Sequence, residues 1–324
     1  MTTYGEAIRE GFNYTLANHD DVIALGQGLW SPWYVGQSMT NLDKQFGRDR
    51  VLDTPVSENS TTGMAIGLAL GGYRPIVIHP RLDFMVLASD AIVNQAAKWR
   101  HMLGGTSNVP MTIRGIINRG GEQGAQHSQA LQSWYAHIPG LRVVMPATAK
   151  DARDLLIASV LCDDPVLYID DRWLYEVEGD LGEVDLTPLS KQGPIVRKQG
   201  TGITLAGASF SYEQCRQASE VLEKEGISVE LVDIRVLNPF NPDVVAKSVE
   251  KTGRLLAVDG GWTNCGFAGE IIASVSERVA PNKLRSALSR LTLTDTPAPS
   301  SNALEKVYYT SVDDIVAKAK SLIK

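Results

Sequence analysis

Cysteine is scarce and scattered: Cys162, Cys215 and Cys265 are the only three, and no C-x-x-C spacing occurs. A disulfide frame or a cysteine-rich zinc site is not expected, and the set reads as reduced thiols in a cytoplasmic protein. Uninterrupted apolar runs of about 18 residues, the length that crosses a bilayer, are also missing. The stretch Met1 to Glu10 begins like an amphipathic helix and lacks the apolar segment of a signal peptide. There is no long basic run, and 31 Lys and Arg against 37 Asp and Glu leave a formal net charge of -6. That balance argues against a nucleic-acid or membrane surface. Neither G-x-G-x-x-G nor Walker spacing is present, which disfavours an NAD-binding α/β protein. No internal repeat or low-complexity tract is visible, so the expectation is a soluble intracellular protein.

What the chain does have is ordinary globular composition, 44% hydrophobic and 21% charged, over 324 residues. That length suits two domains, each able to bury its own core. Strand and helix patterns alternate from the start. Tyr4 to Asn18 reads as a helix with Ala7, Ile8, Phe12 and Leu16 on one face, followed by a buried strand at 22–25. Further strands are expected at 50–54, 74–79, 109–114, 143–145 and 166–169. A helix from about 85 to 102 is stopped by Gly104-Gly105, and Thr148 opens another with a capping-box-like signal. The pattern loosens between Asp180 and Val196, then resumes with strands at 201–207, 229–233 and 254–259 and helices near 212–225, 242–250 and 268–279. The predicted class is α/β, with two mainly parallel sheets flanked by helices: residues 1–185, a linker at 186–200, and 201–324.

The chain is organised around the stretch from Asp53 to Gly72, where a short strand runs through Pro55 into a small-residue helix. Glu58 sits at that helix start, where a carboxylate reads either as a plain cap and dipole partner or as a functional acid. Phe84, an aromatic ahead of an apolar helix, reads as core. Arg81 reads as a bidentate binder of a carboxylate or phosphate, or as paired with Asp83 or a surface acid. His127 follows a Gly-rich loop at 115–124; such a histidine is either structural or placed for proton transfer near neutral pH. Trp30, Trp33 and Tyr34 either close over a ligand or pack under a partner subunit. His137 reads as bracing a turn.

The run Asp53-Thr-Pro-Val-Ser-Glu58 and its Gly/Ala helix, with His127-Ser-Gln129 and Trp134-Tyr-Ala-His137-Ile-Pro-Gly-Leu141, resembles a known family. It is the beta subunit of the thiamine-dependent component of 2-oxo acid dehydrogenases, such as pyruvate dehydrogenase. Asp233-Ile-Arg-Val-Leu-Asn-Pro239, Lys251-Thr-Gly-Arg254, Asp259-Gly-Gly261 and the 297–305 segment resemble its transketolase-like C-terminal domain, so the likeness spans nearly the whole chain. The resemblance implies a pyrimidine-binding domain followed by a transketolase C-terminal-like domain, with thiamine diphosphate as cofactor. Glu58 would activate the cofactor through its aminopyrimidine ring, Phe84 would stack on that ring, and Val56 would lie beside it. His127 would act on the substrate adduct or orient the acceptor. The implied reaction forms an enamine from a 2-oxo acid and passes it to lipoamide. A two-subunit transketolase-like or acyloin-forming carboligase with an aldehyde acceptor, and a non-catalytic assembly paralogue, stand as alternatives.

Several positions depart from the family pattern. Gln27-Gly28 replace the two acids of its Gly-Glu-(Glu/Asp) turn, which leaves open whether active sites are coupled. Arg81, Arg119 and Glu122 stand where other residue types are usual, and Arg81 and Arg119 are candidate substrate contacts. The GDG…N motif that holds Mg2+ and the diphosphate is missing. The resemblance therefore implies an alpha-type partner that carries it, in an alpha2beta2 heterotetramer, and allows a lipoyl acyltransferase as a further partner. It also implies a structural K+ held by backbone carbonyls near 163–169.

Overall fold

The computed structural model describes residues 1–323 and divides into two compact units. The first comprises residues 1–118 and 134–192; the second comprises 119–133 and the described residues from 193 onward.

In the first unit, six parallel strands run across the sheet in the order Arg142–Val144, Val166–Asp171, Thr112–Ile117, Arg74–His79, Val22–Gln27 and Val51–Thr54. The four central strands are buried almost throughout rather than on alternate residues. That is the signature of a parallel sheet covered on both faces. The strand expected at 109–114 is observed at 112–117. Pro110 has no N–H to give to a ladder, so pairing begins beyond it.

Helix Tyr4–Asn18 starts with a capping box: Thr3 Oγ1 accepts from the Glu6 N–H, and Glu6 Oε2 accepts from the Thr3 N–H. It buries Ala7, Ile8, Phe12 and Leu16 and packs against helix Ala149–Val160. Thr148 caps that second helix, accepting from the Asp151 N–H at 3.2 Å. Gly11 permits the close approach, since a Cβ there would meet Leu156 Cδ2 at 3.0 Å.

The side chain of Arg114, in the middle of a buried strand, is wholly buried. Its Nε and Nη2 donate to the two carboxylate oxygens of Asp170 at 2.9 and 3.0 Å, while Nη1 donates to Ser38 Oγ at 2.8 Å. Tyr175 accepts from Arg114 Nη2 and in turn donates to Asp170. Burial, followed by the neighbouring Asp170 charge, pushes the Tyr175 phenol far above its usual range, so it stays a donor. The network ties the segment around Ser38 to the sheet, and the Tyr175 ring also backs Gly36.

The second unit has a five-stranded sheet ordered Ser289–Leu293, Leu255–Trp262, Ile203–Gly207, Val229–Asp233 and Ile195–Lys198. All pairings are parallel except that of 195–198, which lies antiparallel to 229–233. Residues 195–198 fall inside the stretch read from sequence as linker. Helices Phe210–Lys224, Asp243–Thr252, Phe267–Ser276 and Val312–Ile323 accompany this sheet.

Candidate active site

In the first sheet the chain leaves strand 22–27 toward one edge, at 51–54, and leaves strand 74–79 toward the other, at 112–117. The connection therefore reverses direction between 22–27 and 74–79. In an open parallel sheet the carboxyl ends at such a reversal are spread apart, leaving a crevice for a ligand. The residues following these ends are Gln27-Gly28, Thr54 to Glu58, and Pro80 to Phe84.

The turn after Gln27 is fastened by Asp53. Its Oδ1 accepts from the Gly28 N–H at 2.7 Å, and its Oδ2 from the Trp30 N–H at 3.3 Å. Two glycines make the packing possible. A Cβ on Gly26 would sit 2.6 Å from the Ile78 carbonyl oxygen, and Gly28, at φ +72, would drive one into the Tyr34 ring. Gln27 Nε2 donates to the Tyr34 hydroxyl at 3.2 Å. This turn is a well-braced element.

Glu58 is the first residue of helix Glu58–Leu70 and is half-buried. Its carbonyl accepts from Thr61 Oγ1 at 3.1 Å and Thr62 Oγ1 at 2.8 Å. Thr62 Oγ1 is also 3.1 Å from His79 Nε2. With the hydroxyl donating to the Glu58 carbonyl, it accepts from a proton on Nε2, which selects that tautomer. His79 thus links the end of strand 74–79 to the start of the Glu58 helix. Its role was not visible in sequence, where it is only the polar last residue of an apolar strand.

Burial lowers the His79 pKa from 6.5 to about 4. The native state therefore favours the neutral ring, and the resulting stability is fully present above pH 6.5 and lost as pH falls toward 4. The loss should be on the order of 3 kcal/mol. Urea unfolding at pH 7 and pH 4.5 should show it in the wild type, and His79→Gln should lack that share of the pH dependence.

Phe84 lies in the short helix Leu82–Met85, which packs against the Glu58 helix. Leu82, Asp83 and Met85 are buried, whereas Phe84 is exposed and presents its ring at the surface. Gly115 lets this turn sit close to the sheet: a Cβ there would meet Leu82 Cδ1 at 2.8 Å. Arg81 is half-buried at the helix start, and Val56 is exposed. The single helix expected from 85 to 102 is instead segmented, with a 3-10 turn at Val86–Ala88, a π-helical stretch at Ala91–Ala96 and an α-helix at Ala97–Met102. Val56 and Glu58 thus follow the carboxyl end of strand 51–54, and Arg81 and Phe84 that of strand 74–79.

His127, Arg119 and Glu122 belong to the second unit. His127 is half-buried, and its N–H donates to the Gly124 carbonyl at 3.4 Å. Arg119 is buried, with Nη1 donating to the Gly260 carbonyl at 3.0 Å. Glu122 accepts from the Asn302 N–H at 3.0 Å. Among the described residues, no group of three or more His, Cys, Asp or Glu is placed to hold a metal ion. No helix among them is long and apolar enough to cross a membrane.

Residues 1–176 match the family described as transketolase, pyrimidine binding domain, and residues 192–315 match transketolase, C-terminal domain. The pyruvate dehydrogenase E1 component subunit beta of Staphylococcus aureus is 35% identical over 99% of this chain and 98% of its own. The chain belongs to the transketolase superfamily, in its pyruvate dehydrogenase beta-like family. The mitochondrial human E1 beta subunit is 33% identical over 100% of this chain and 91% of its own. The acetoin:2,6-dichlorophenolindophenol oxidoreductase subunit beta of Cupriavidus necator is 39% identical over 85% of this chain and 81% of its own. A solved structure titled split gene transketolase, inactive beta4 tetramer, superposes with a TM-score of 0.82 at 18% identity, covering 100% of this chain and 99% of that one. That likeness bears on the fold alone. Membership in this family makes the chain a beta-type component of a thiamine diphosphate-dependent oxidoreductase.

Proposed function

We propose that this chain is the beta subunit of a thiamine diphosphate-dependent dehydrogenase acting on a donor with a C–C bond beside a carbonyl, a 2-oxo acid or an acyloin. The observation that carries the proposal is the placement of the half-buried Glu58 carboxylate and the exposed Phe84 ring beyond the carboxyl ends of strands 51–54 and 74–79, on two helices that pack against each other. An acid and an aromatic face are what an aminopyrimidine requires: a partner for a ring nitrogen and a surface for the ring.

Bound thiamine diphosphate supplies a carbon nucleophile for the donor carbonyl. Glu58 exchanges a proton with the cofactor ring, and its helix start is kept in place by Thr62 and the neutral His79. Phe84 orients the ring, Val56 lies beside it, and Arg81 takes an anionic group of the donor. His127 holds or moves a proton on the donor side. We assign the Mg2+ ligands to an alpha-type partner carrying GDG…N, in an alpha2beta2 assembly, with a lipoyl acyltransferase as acceptor. The K+ site near 163–169 belongs to the same reading.

Co-expression with candidate alpha subunits and titration with thiamine diphosphate and Mg2+ tests this. Cofactor binding should require both chains, and turnover should follow with pyruvate or acetoin when lipoamide or a dye accepts the electrons. Failure of every pairing to bind the cofactor would overturn the proposal.

A further inference from the structure

Residues 119–133 lie in sequence between two strands of the first sheet, yet they belong to the second unit. Polar anchors hold the segment there at both ends and near its start. Arg119 donates to the Gly260 carbonyl. The Glu122 N–H donates to Glu305 Oε1 at 2.9 Å, while the Glu122 carboxylate accepts from the Asn302 N–H. Gln132 Nε2 donates to Asp259 Oδ1 at 2.7 Å. Asp259 is itself fixed, accepting from the N–H groups of Gly261 at 3.0 Å and Ala268 at 3.1 Å.

Between these anchors the backbone is left-handed at four positions. Glu122 has φ +60, and Gly120, Gly121 and Gly124 have φ between +64 and +76. Glu122 in that region is a strained residue that its surroundings must hold. Gly124 is also in close contact with the same unit, since a Cβ on it would meet Ser300 Oγ at 2.7 Å. His127 stands between Gly124 and Gln132, so its location is set by groups from residues 259 to 305.

We infer that Gln132 and Glu122 are positioning residues for His127. The inference rests on the reading of His127 as a group that acts on the bound donor. Neither residue touches substrate; each acts by fixing the segment that carries the imidazole.

The test uses the full chain assembled with its alpha-type partner, in the variants Gln132→Met, Glu122→Ala, His127→Asn and Gln132→Met with His127→Asn. Backbone amide exchange over 120–131 and kcat/KM against pH are both read. Each anchor variant should speed exchange in that segment and lower kcat/KM by about tenfold or more, as misplacement of a reacting group does. The double variant should be no worse than His127→Asn alone, because two members of one unit are not additive. Glu122 is exposed, so Glu122→Ala leaves the buried Gln132–Asp259 pair intact and keeps the test open if Gln132→Met folds poorly. Exchange unchanged from wild type in both anchor variants would overturn the docking, whatever His127 does. Losses that multiply in the double variant would overturn the positioning role. Full activity in His127→Asn would overturn the reading of His127 itself.

Discussion

Glu58→Gln is expected to lower turnover severely while leaving the protein folded. The amide keeps the shape and the hydrogen-bonding reach of the side chain but cannot give and take a proton. The loss should fall in the range of about 10²- to 10⁴-fold in kcat that removal of a positioned acid–base group produces. The stability cost should be small. The carboxylate is half-buried at the first residue of a helix, where a favourable dipole interaction is worth roughly 0.3–1 kcal/mol. The Thr61 and Thr62 bonds go to the Glu58 backbone carbonyl, which the substitution keeps. The discriminating measurement pairs steady-state turnover of the reconstituted enzyme with the melting temperature of the same preparation. Retained turnover at wild-type rate would remove Glu58 from the mechanism and leave it a dipole partner at the helix start.

Arg114→Met should give the opposite result, a defect in stability first of all. Methionine fills much of the space but leaves the Asp170 carboxylate buried without its bidentate partner. Breaking a buried pair from one side typically costs about 3–5 kcal/mol, because the remaining charge has neither water nor counter-charge. Ser38 loses its donor as well, so the segment around it should loosen. Adding Asp170→Leu removes the stranded charge and should recover part of the loss, visible as a higher urea midpoint than in Arg114→Met alone. A single-variant loss below about 1 kcal/mol would mean that water reaches the pair in solution.

The regular elements were legible because they rest on local pattern. Helix 4–18 and strands 74–79 and 229–233 stand at their expected bounds, the helices expected near 212–225, 242–250 and 268–279 are displaced by only a few residues, and helices Asn302–Tyr308 and Val312–Ile323 were not anticipated. The segmentation of 82–102 was not legible, because its cause lies elsewhere: Gly115 draws 82–85 onto the sheet, and Gly140 lets the 97–102 helix come close to another turn. A Cβ on Gly140 would fall 1.9 Å from the Ala97 carbonyl oxygen. Gly140 belongs to the His-Ile-Pro-Gly run, so that motif marks a packing contact as well as a turn.

At the candidate site, Glu58 was readable because it combines a local signal, a helix start, with a motif. His79 and Arg114 were not, since what defines them is burial and partners 17 and 56 residues away. Arg119 and Glu122 stood out in sequence as unusual. What they grip, Gly260, Asn302 and Glu305, is too distant in the chain for spacing to reveal.

The placement of 119–133 also bears on the order in which the protein is made. A chain leaving the ribosome completes the six strands of the first sheet by residue 171 and can begin to bury them. The stretch carrying His127 emerges before that point. It has no resting place until the residues it grips, from 259 to 305, have been synthesised. The imidazole is among the earlier side chains to be translated and among the last to be set.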